Sequence, residues 1–481
     1  MSRLRQLGKD SLIYGFGGII AKSLLFLLFP IYTRIFTPVD YGSIEMLTLF
    51  SNFISTIFSM GMHSAQSMYF YKVKEEGQAA QARIVSAILQ WRLFWGSGIV
   101  LIATITAPFF NAWFFGGQLN WKYFAIAFVG ALFAQIMSQS AEVMRLLYRP
   151  WAYIGITLTQ TIVSAGLTLT FVLLFNLGIF GFFLGGCVAS FTVAFWGWFK
   201  IRAYWRFDRI HWDLWPQLLR FGAPLVPSSL AIYFMNTADR WFVQYYHGNE
   251  ALGIFAVGAK FTMLATLAVT VFRQAWWPIA MDSMHSTDGP KTFRMIARMY
   301  MGLACAGIIV LTLLSPWLVK WFTGPAFHDA WPVVGILAWQ AVFYGFFLIA
   351  GAGIWKSEKN ILNFPLMFGA AVLGLGLNWL FVPLYGSLGA ALATAITYFV
   401  WAVASLMVSE RLWLVHYEVN LMLLQIALAN LFVFWFTKVN QGELGLPVLL
   451  TGAGMASVLI ASAVGPEERR AIRNYLYNLL P

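Results

Sequence analysis

Charge is scarce in this chain. Asp, Glu, Lys and Arg together make up 10% of 481 residues, while 60% are hydrophobic; soluble domains carry about a quarter charged residues. A soluble globular protein is therefore excluded. Acidic residues are the rarer sign, 19 against 31 basic. Only two cysteines occur, Cys187 and Cys305; both fall in apolar runs and read as small core residues, which excludes a disulfide framework. The six histidines (His63, His211, His247, His285, His328 and His416) are scattered, with no pair at metal-ligand spacing. No G-x-x-x-x-G-K loop and no G-x-S-x-G elbow occur, so neither a built-in ATPase nor a serine hydrolase is expected. Asp208 and Asp213 flank a basic, Trp-rich loop and read as ordinary loop charges rather than as metal ligands for a sugar-nucleotide transferase. No resident cofactor and no enzymatic activity are expected.

What is abundant is apolar sequence. A bilayer core takes roughly 20 apolar residues per helix, and Ser11 to Phe36 meets that length. It is too long for a signal peptide and lacks a small-residue cleavage pattern. Further stretches lie near 43–70, 84–110, 121–144, 152–176 and 178–199. The second half gives 219–245, 252–280, 296–319, 331–355, 361–382 and 386–408, followed by 419–437 and 445–464. These runs are too long for barrel strands. The expected fold is an all-α membrane protein of about fourteen transmembrane helices.

The chain also repeats itself. Pro108, Trp113, Phe114 and Gly116 recur as Pro316, Trp321, Phe322 and Gly324. Gly166, Leu169, Gly178, Gly181 and Leu184 recur as Gly374, Leu377, Gly386, Gly389 and Leu392. Arg83 with Lys291 extends the same ungapped register. Six helices per half is an even number, so the halves enter the membrane from the same side, as parallel repeats with a substrate path expected between them. The expected organisation is an N-terminal lobe over 1–199, a connecting loop over 200–217, a C-terminal lobe over 218–408, two additional helices over 409–464 and a tail over 465–481. Gly178 with Gly181, and Gly386 with Gly389, are expected at hairpin turns that allow close helix approach. Pro30, Pro224 and Pro227 fall inside predicted spans and are candidate bending points.

A charge of +12 raises the question of nucleic acid. The placement of the charges answers it. With the N-terminus inside, most Lys and Arg fall in loops of one side, among them Arg3, Arg5, Lys72, Lys74, Lys200, Arg202, Arg206, Arg209, Lys356, Lys359, Arg469 and Arg470. That asymmetry is the positive-inside signal, with both termini cytoplasmic and the basic loops facing an anionic leaflet. No nucleic-acid partner is expected.

Charges within spans cost about 2.5–3.5 kcal/mol each on insertion scales and ask for a reason. Hairpin geometry places Arg34 and Glu45 at like depth, and Asp239 and Lys260 likewise; Glu142 and Arg145 share a helix face at a spacing of three. Structural ion pairs are one reading of all three, and lipid-facing snorkelling is open to Arg34, Arg92 and Arg145. Lys22, near the midplane, has no carboxylate near in sequence, and Arg273 lies deep in the eighth helix, toward its cytoplasmic end. With Arg34, Arg240 and Lys260 they form a candidate set of cavity cations, whose surplus fits a bound anion such as a diphosphate. Asp239 and Glu142 are candidates for coupling transport to H⁺ or Na⁺. Asn52, Gln66, Gln135, Gln139, Asn236 and Asn378 are the uncharged polar residues of the spans; helix-to-helix hydrogen bonding and sugar contact are both open to them.

The opening segment carries a resemblance. Tyr14-Gly15, then Phe29-Pro30-Ile31-Tyr32-Thr33-Arg34, then Pro38-Val39-Asp40-Tyr41-Gly42 is similar to the start of Wzx-type bacterial polysaccharide flippases. These belong to the multidrug/oligosaccharidyl-lipid/polysaccharide exporter superfamily. Phe221-Gly222-Ala223-Pro224-Leu225-Val226-Pro227, Asp239-Arg240 and Ala251-Leu252-Gly253-Ile254-Phe255 extend the resemblance into the second half. It implies a two-lobed carrier in the bacterial inner membrane, moving a polyprenyl-diphosphate-linked oligosaccharide by alternating access. Other polysaccharide-assembly proteins are possible partners. A lipid II flippase or a multidrug exporter would share the fold, though a drug exporter favours surplus carboxylates. A polysaccharide polymerase or ligase would need a sizeable outer loop, and none is expected.

Overall fold

The computed structural model describes residues 17–465, apart from 19, 22, 25, 118 and 206–209. Lys22, Arg206, Asp208, Arg209, Tyr14-Gly15 and nearly all of the expected tail lie outside the described residues. Among the described residues there is no β-strand.

Among the described residues, eleven helical stretches are long and apolar enough to cross a membrane; one of them, Trp212–Met284, holds two successive long helices. They are preceded by a shorter apolar helix, α1 (Phe26–Ile35). The first half continues with α2 (Pro38–Lys72), α3 (Gln78–Phe115), α4 (Trp121–Leu146), α5 (Pro150–Leu174) and α6 (Gly178–Lys200). The second half holds α7 (Val226–Phe261), α8 (Met263–Met284), α9 (Gly289–Phe322), α10 (Pro325–Lys356), α11 (Asn363–Leu412), α12 (Val419–Val439) and α13 (Leu446–Ala463). Two of these helices are interrupted by a glycine outside helical φ/ψ, α7 at Gly248 and α11 at Gly386.

Local sequence explains the boundaries. Thr37 caps α2: its hydroxyl accepts from the Asp40 amide at 3.2 Å, while Asp40 accepts from the Thr37 amide at 3.1 Å, with Pro38 in the first turn. This reciprocal cap satisfies two donors that hydrocarbon would leave unpaired. The Pro-Val-Asp stretch of the family resemblance is thus a helix start. The repeated glycines act as hairpins in both halves. Gly178 and Gly386 have φ of +53° and +55°. Three residues on, a Cβ on Gly181 would lie 3.0 Å from the Phe171 backbone, and one on Gly389 would lie 2.2 Å from the Phe381 carbonyl. Gly374 meets Thr397 across Gly386, so the chain reverses there. Gly116 and Gly324 diverge: Gly116 ends its helix at φ +58°, whereas Gly324 is extended at φ −68°.

The prolines behave differently from expectation. Pro30 lies within α1. Pro224 sits in a 3₁₀ turn over Ala223–Leu225, and Pro227 occupies the first turn of α7, where no helical hydrogen bond is lost. The observed interruption of α2 is at Met60 and Gly61, both with positive φ.

The chain divides into two compact units, Met1–Tyr233 with Gly248–Gly253, and Phe234–His247 with Ile254–Pro481. In the first, α4 packs on α5 and α6, and Phe70, Val85, Val143, Ile156 and Val193 form a buried cluster. The start of α2 touches the 248–253 segment closely: a Cβ on Gly42 would lie 1.8 Å from the Asn249 carbonyl, and one on Gly253 would lie 2.0 Å from the Pro38 carbonyl. In the second unit α9 is central, against α12 and α13, while the middle of α10 packs on α11. Trp276, Phe293, Ile309 and Trp339 are buried there.

Gly42→Ala should lower thermal stability in detergent by about 1–3 kcal/mol, because carbonyl and Cβ cannot both occupy that space. Gly98→Ala, with nothing within 4 Å of the new carbon, should be neutral. Equal melting of the two variants would contradict the close crossing.

Candidate functional site

Among the described residues, each unit contains one carboxylate buried among polar partners. In the first it is Glu142, 4% exposed, near the end of α4. Arg145, one turn on, donates from Nε to Glu142 Oε2 at 2.8 Å and from Nη2 to Oε1. The Ser67 hydroxyl donates to Oε1 at 3.0 Å, and His63 Nε2 lies 3.6 Å from Oε2. The expected pair of Glu142 with Arg145 is therefore present, joined by two groups from α2. His63 and Arg145 are half-exposed, at 49% and 47%. They line a cavity of about 300 Å³ with Ser138, Tyr153 and Thr157.

Arg92 stands behind this cluster, within electrostatic reach of Glu142 and His63. It does not snorkel: it is 1% exposed, at the start of a π-helical turn over Arg92–Gly96. Its Nη1 donates to the Gln135 carbonyl, while Nε and Nη2 have no hydrogen-bond partner among the described residues. π-Helical turns inside α-helices recur at functional sites. Gln139 donates to the Val85 carbonyl at 2.9 Å, and both side-chain polar atoms of the buried Gln66 lack a partner among the described residues.

In the second unit the carboxylate is Asp239, 1% exposed, within α7. Arg240 donates to its Oδ1 from the backbone amide at 2.8 Å and from Nη1 at 3.1 Å, and Thr394 donates to Oδ2 at 3.3 Å. Arg240 Nη1 also reaches the Asn236 carbonyl at 2.8 Å, and its guanidinium lies over the Phe255 ring at 6.0 Å. Asn236 Oδ1 accepts from Gln340 Nε2 and from the Tyr398 hydroxyl, both at 2.9 Å. One turn of α7 thus carries a polar network that joins α7, α10 and α11.

The other cations expected in a cavity are each placed as follows. Arg34 is exposed and donates to the Pro30 carbonyl at 3.2 Å. Lys260 is exposed. Arg273 is exposed on α8, with no hydrogen bond or ion pair among the described residues. Lys22 lies outside the described residues. Sequence reasoning missed His63 and Ser67 as partners of Glu142, and no spacing signal could have found them, because they come from a different helix.

A profile of the polysaccharide biosynthesis protein family matches residues 7–284. The chain belongs to that family. A protein of the Lsg locus of Haemophilus influenzae is 22% identical over 281 residues, which are 57% of this chain and 66% of that protein's length. Among solved structures, the lipid II flippase MurJ in an inward closed conformation matches with a TM-score of 0.71 at 13% identity, covering 96% of this chain and all of that one. An inward-facing multidrug transporter of the MATE family matches with a TM-score of 0.64 at 14% identity, covering 81% of this chain and 94% of that one. These likenesses establish the fold. This member of the polysaccharide biosynthesis family therefore has an all-α fold whose described residues include stretches long and apolar enough to cross a membrane many times.

Removing one acceptor from the second network tests its weight. Asn236→Leu removes the acceptor shared by two buried donors and should cost about 1–3 kcal/mol, with Gln340 Nε2 keeping only its 3.3 Å bond to the Tyr398 hydroxyl. Tyr398→Phe removes a single donor and should cost about 1 kcal/mol. Both are read by thermal unfolding in detergent; a Tyr398→Phe loss as large as that of Asn236→Leu would contradict the shared acceptor.

Proposed function

We propose that the chain is a flippase that carries a polyprenyl-diphosphate-linked oligosaccharide from the inner to the outer leaflet of the bacterial inner membrane. Both termini face the cytoplasm. The protein acts as a carrier, not an enzyme. The observation that carries this reading is the family match over residues 7–284. The basic surplus of the chain supports an anionic cargo, with Lys22, Arg34, Arg240, Lys260 and Arg273 as its candidate cations. The lipid tail stays in the bilayer while the polar head is sheltered, which removes the cost of exposing sugar and phosphate to hydrocarbon. Other polysaccharide-assembly proteins would supply and consume the cargo.

Energetics set a direction. One elementary charge moving through 100 mV is worth about 2.3 kcal/mol. A diphosphate travelling outward gains from an inside-negative potential, and an emptied cationic site returning inward gains again. Asp239 is the stronger candidate for coupling to H⁺ or Na⁺. It is sealed from solvent, and its Oδ2 accepts from the Thr394 hydroxyl at 3.3 Å; a change of its charge would alter the balance with Arg240. Glu142, held by two bonds from Arg145, is already neutralised within its own helix.

A second reading, with lipid II as cargo, is favoured by the likeness to MurJ over 96% of the chain. Both cargoes carry a diphosphate, so proteoliposomes offered each lipid separate them. In the same proteoliposomes, Asp239→Asn should abolish the dependence of flipping on an imposed ion gradient. Retention of both rate and gradient response would remove Asp239 from the mechanism. Wild-type chain that flips neither lipid would overturn the flippase reading.

A further inference from the structure

The Glu142 cluster is poorly explained as structure. Glu142 and Arg145 lie on one helix, so their ion pair ties no second helix into the bundle. Such pairs yield about 0.3–0.5 kcal/mol on exposed helices, far less than the cost of burying a carboxylate. Behind them Arg92 is buried with two of its three guanidinium nitrogens unpartnered among the described residues. Two arginines therefore stand against one carboxylate. The front of the cluster opens onto the 300 Å³ cavity, at the small end of ligand pockets (about 300–1,000 Å³) and of a size for one sugar ring.

We propose that this cavity, lined by His63, Ser138, Glu142, Arg145, Tyr153 and Thr157, binds an acidic sugar of the cargo, a hexose ring bearing a carboxylate. The proposal rests on the flippase reading and deepens it by naming a substrate class. Arg145 is half-exposed and can turn its planar fork from Glu142 to the sugar carboxylate, making two parallel bonds. Glu142 then keeps Ser67 and His63 and stays in reach of Arg92, so no bare anion is left behind. Its freed oxygen can accept from a ring hydroxyl. Ser138, Tyr153 and Thr157 present hydroxyls that donate or accept along the ring. A neutral sugar finds the hydroxyls but not the charge, and inorganic phosphate finds the charge but not the ring.

The test is binding of radiolabelled glucuronate to the full-length chain in nanodiscs, with glucose and inorganic phosphate as competitors. Glucuronate should bind at least tenfold more tightly than glucose. Arg145→Ala should bring the two sugars level, with Arg145→Lys retaining part of the difference. Equal binding of glucuronate and glucose by the wild type, or an unchanged preference in Arg145→Ala, overturns the proposal. Phosphate that displaces glucuronate as well as unlabelled glucuronate does overturns the sugar assignment. Should Arg145→Ala fail to fold, Thr157→Val with Ser138→Ala provides the second test: affinity for both sugars falls several-fold if the ring lies there, and unchanged affinity overturns the proposal. Flipping is read separately. Wild-type chain that flips acidic and neutral repeat units at one rate removes the pocket but leaves the flippase, whereas glucuronate binding without any flipping preserves the pocket and removes the flippase.

Discussion

Hydrocarbon offers no partner to a polar group, and that constraint governs this chain from its helix ends to its buried charges. Backbone groups must be satisfied within the protein. Thr37 and Asp40 therefore cap α2 reciprocally, and the hairpin turns use glycine so that one helix follows another with little unpaired backbone between. The same constraint makes each buried charge expensive. Glu142 and Asp239 are both nearly sealed, and each is held by an arginine and a hydroxyl.

The two carboxylates nonetheless sit in different settings. Asp239 belongs to a network that joins three helices through Asn236, Gln340, Thr394 and Tyr398. Glu142 is paired within its own helix and fronts a cavity. Repeat symmetry relates the glycine hairpins of the two halves but not these charges. The duplicated elements thus supply the fold, and the unduplicated polar residues supply whatever distinguishes one unit from the other.

Much of this was legible in the sequence because helix length and glycine position are local properties. The all-α membrane fold follows from apolar runs of bilayer length, and Gly178 with Gly386 predicted the hairpins because only a residue without Cβ takes that conformation easily. The Glu142–Arg145 pair was legible for the same reason, being a spacing within one helix. What was not legible depends on contacts between helices. His63 and Ser67 meet Glu142 only once α2 and α4 are packed. Arg92 was open to a snorkelling reading until the π-helical turn and its burial were seen. About fourteen spans were expected; among the described residues eleven helical stretches of spanning length are observed, because Trp212–Met284 and Asn360–Leu412 run through the breaks at Gly248 and Gly386 that the sequence places between separate spans.

The account rests on sheltered charge serving an anionic glycolipid. Its most direct test is the flipping rate of wild-type chain in proteoliposomes, measured against an imposed membrane potential. A diphosphate-linked oligosaccharide should move outward faster as the cytoplasmic-equivalent side is made more negative, while a glycolipid lacking the diphosphate should show no such response. Identical, potential-independent rates for the two lipids would contradict it.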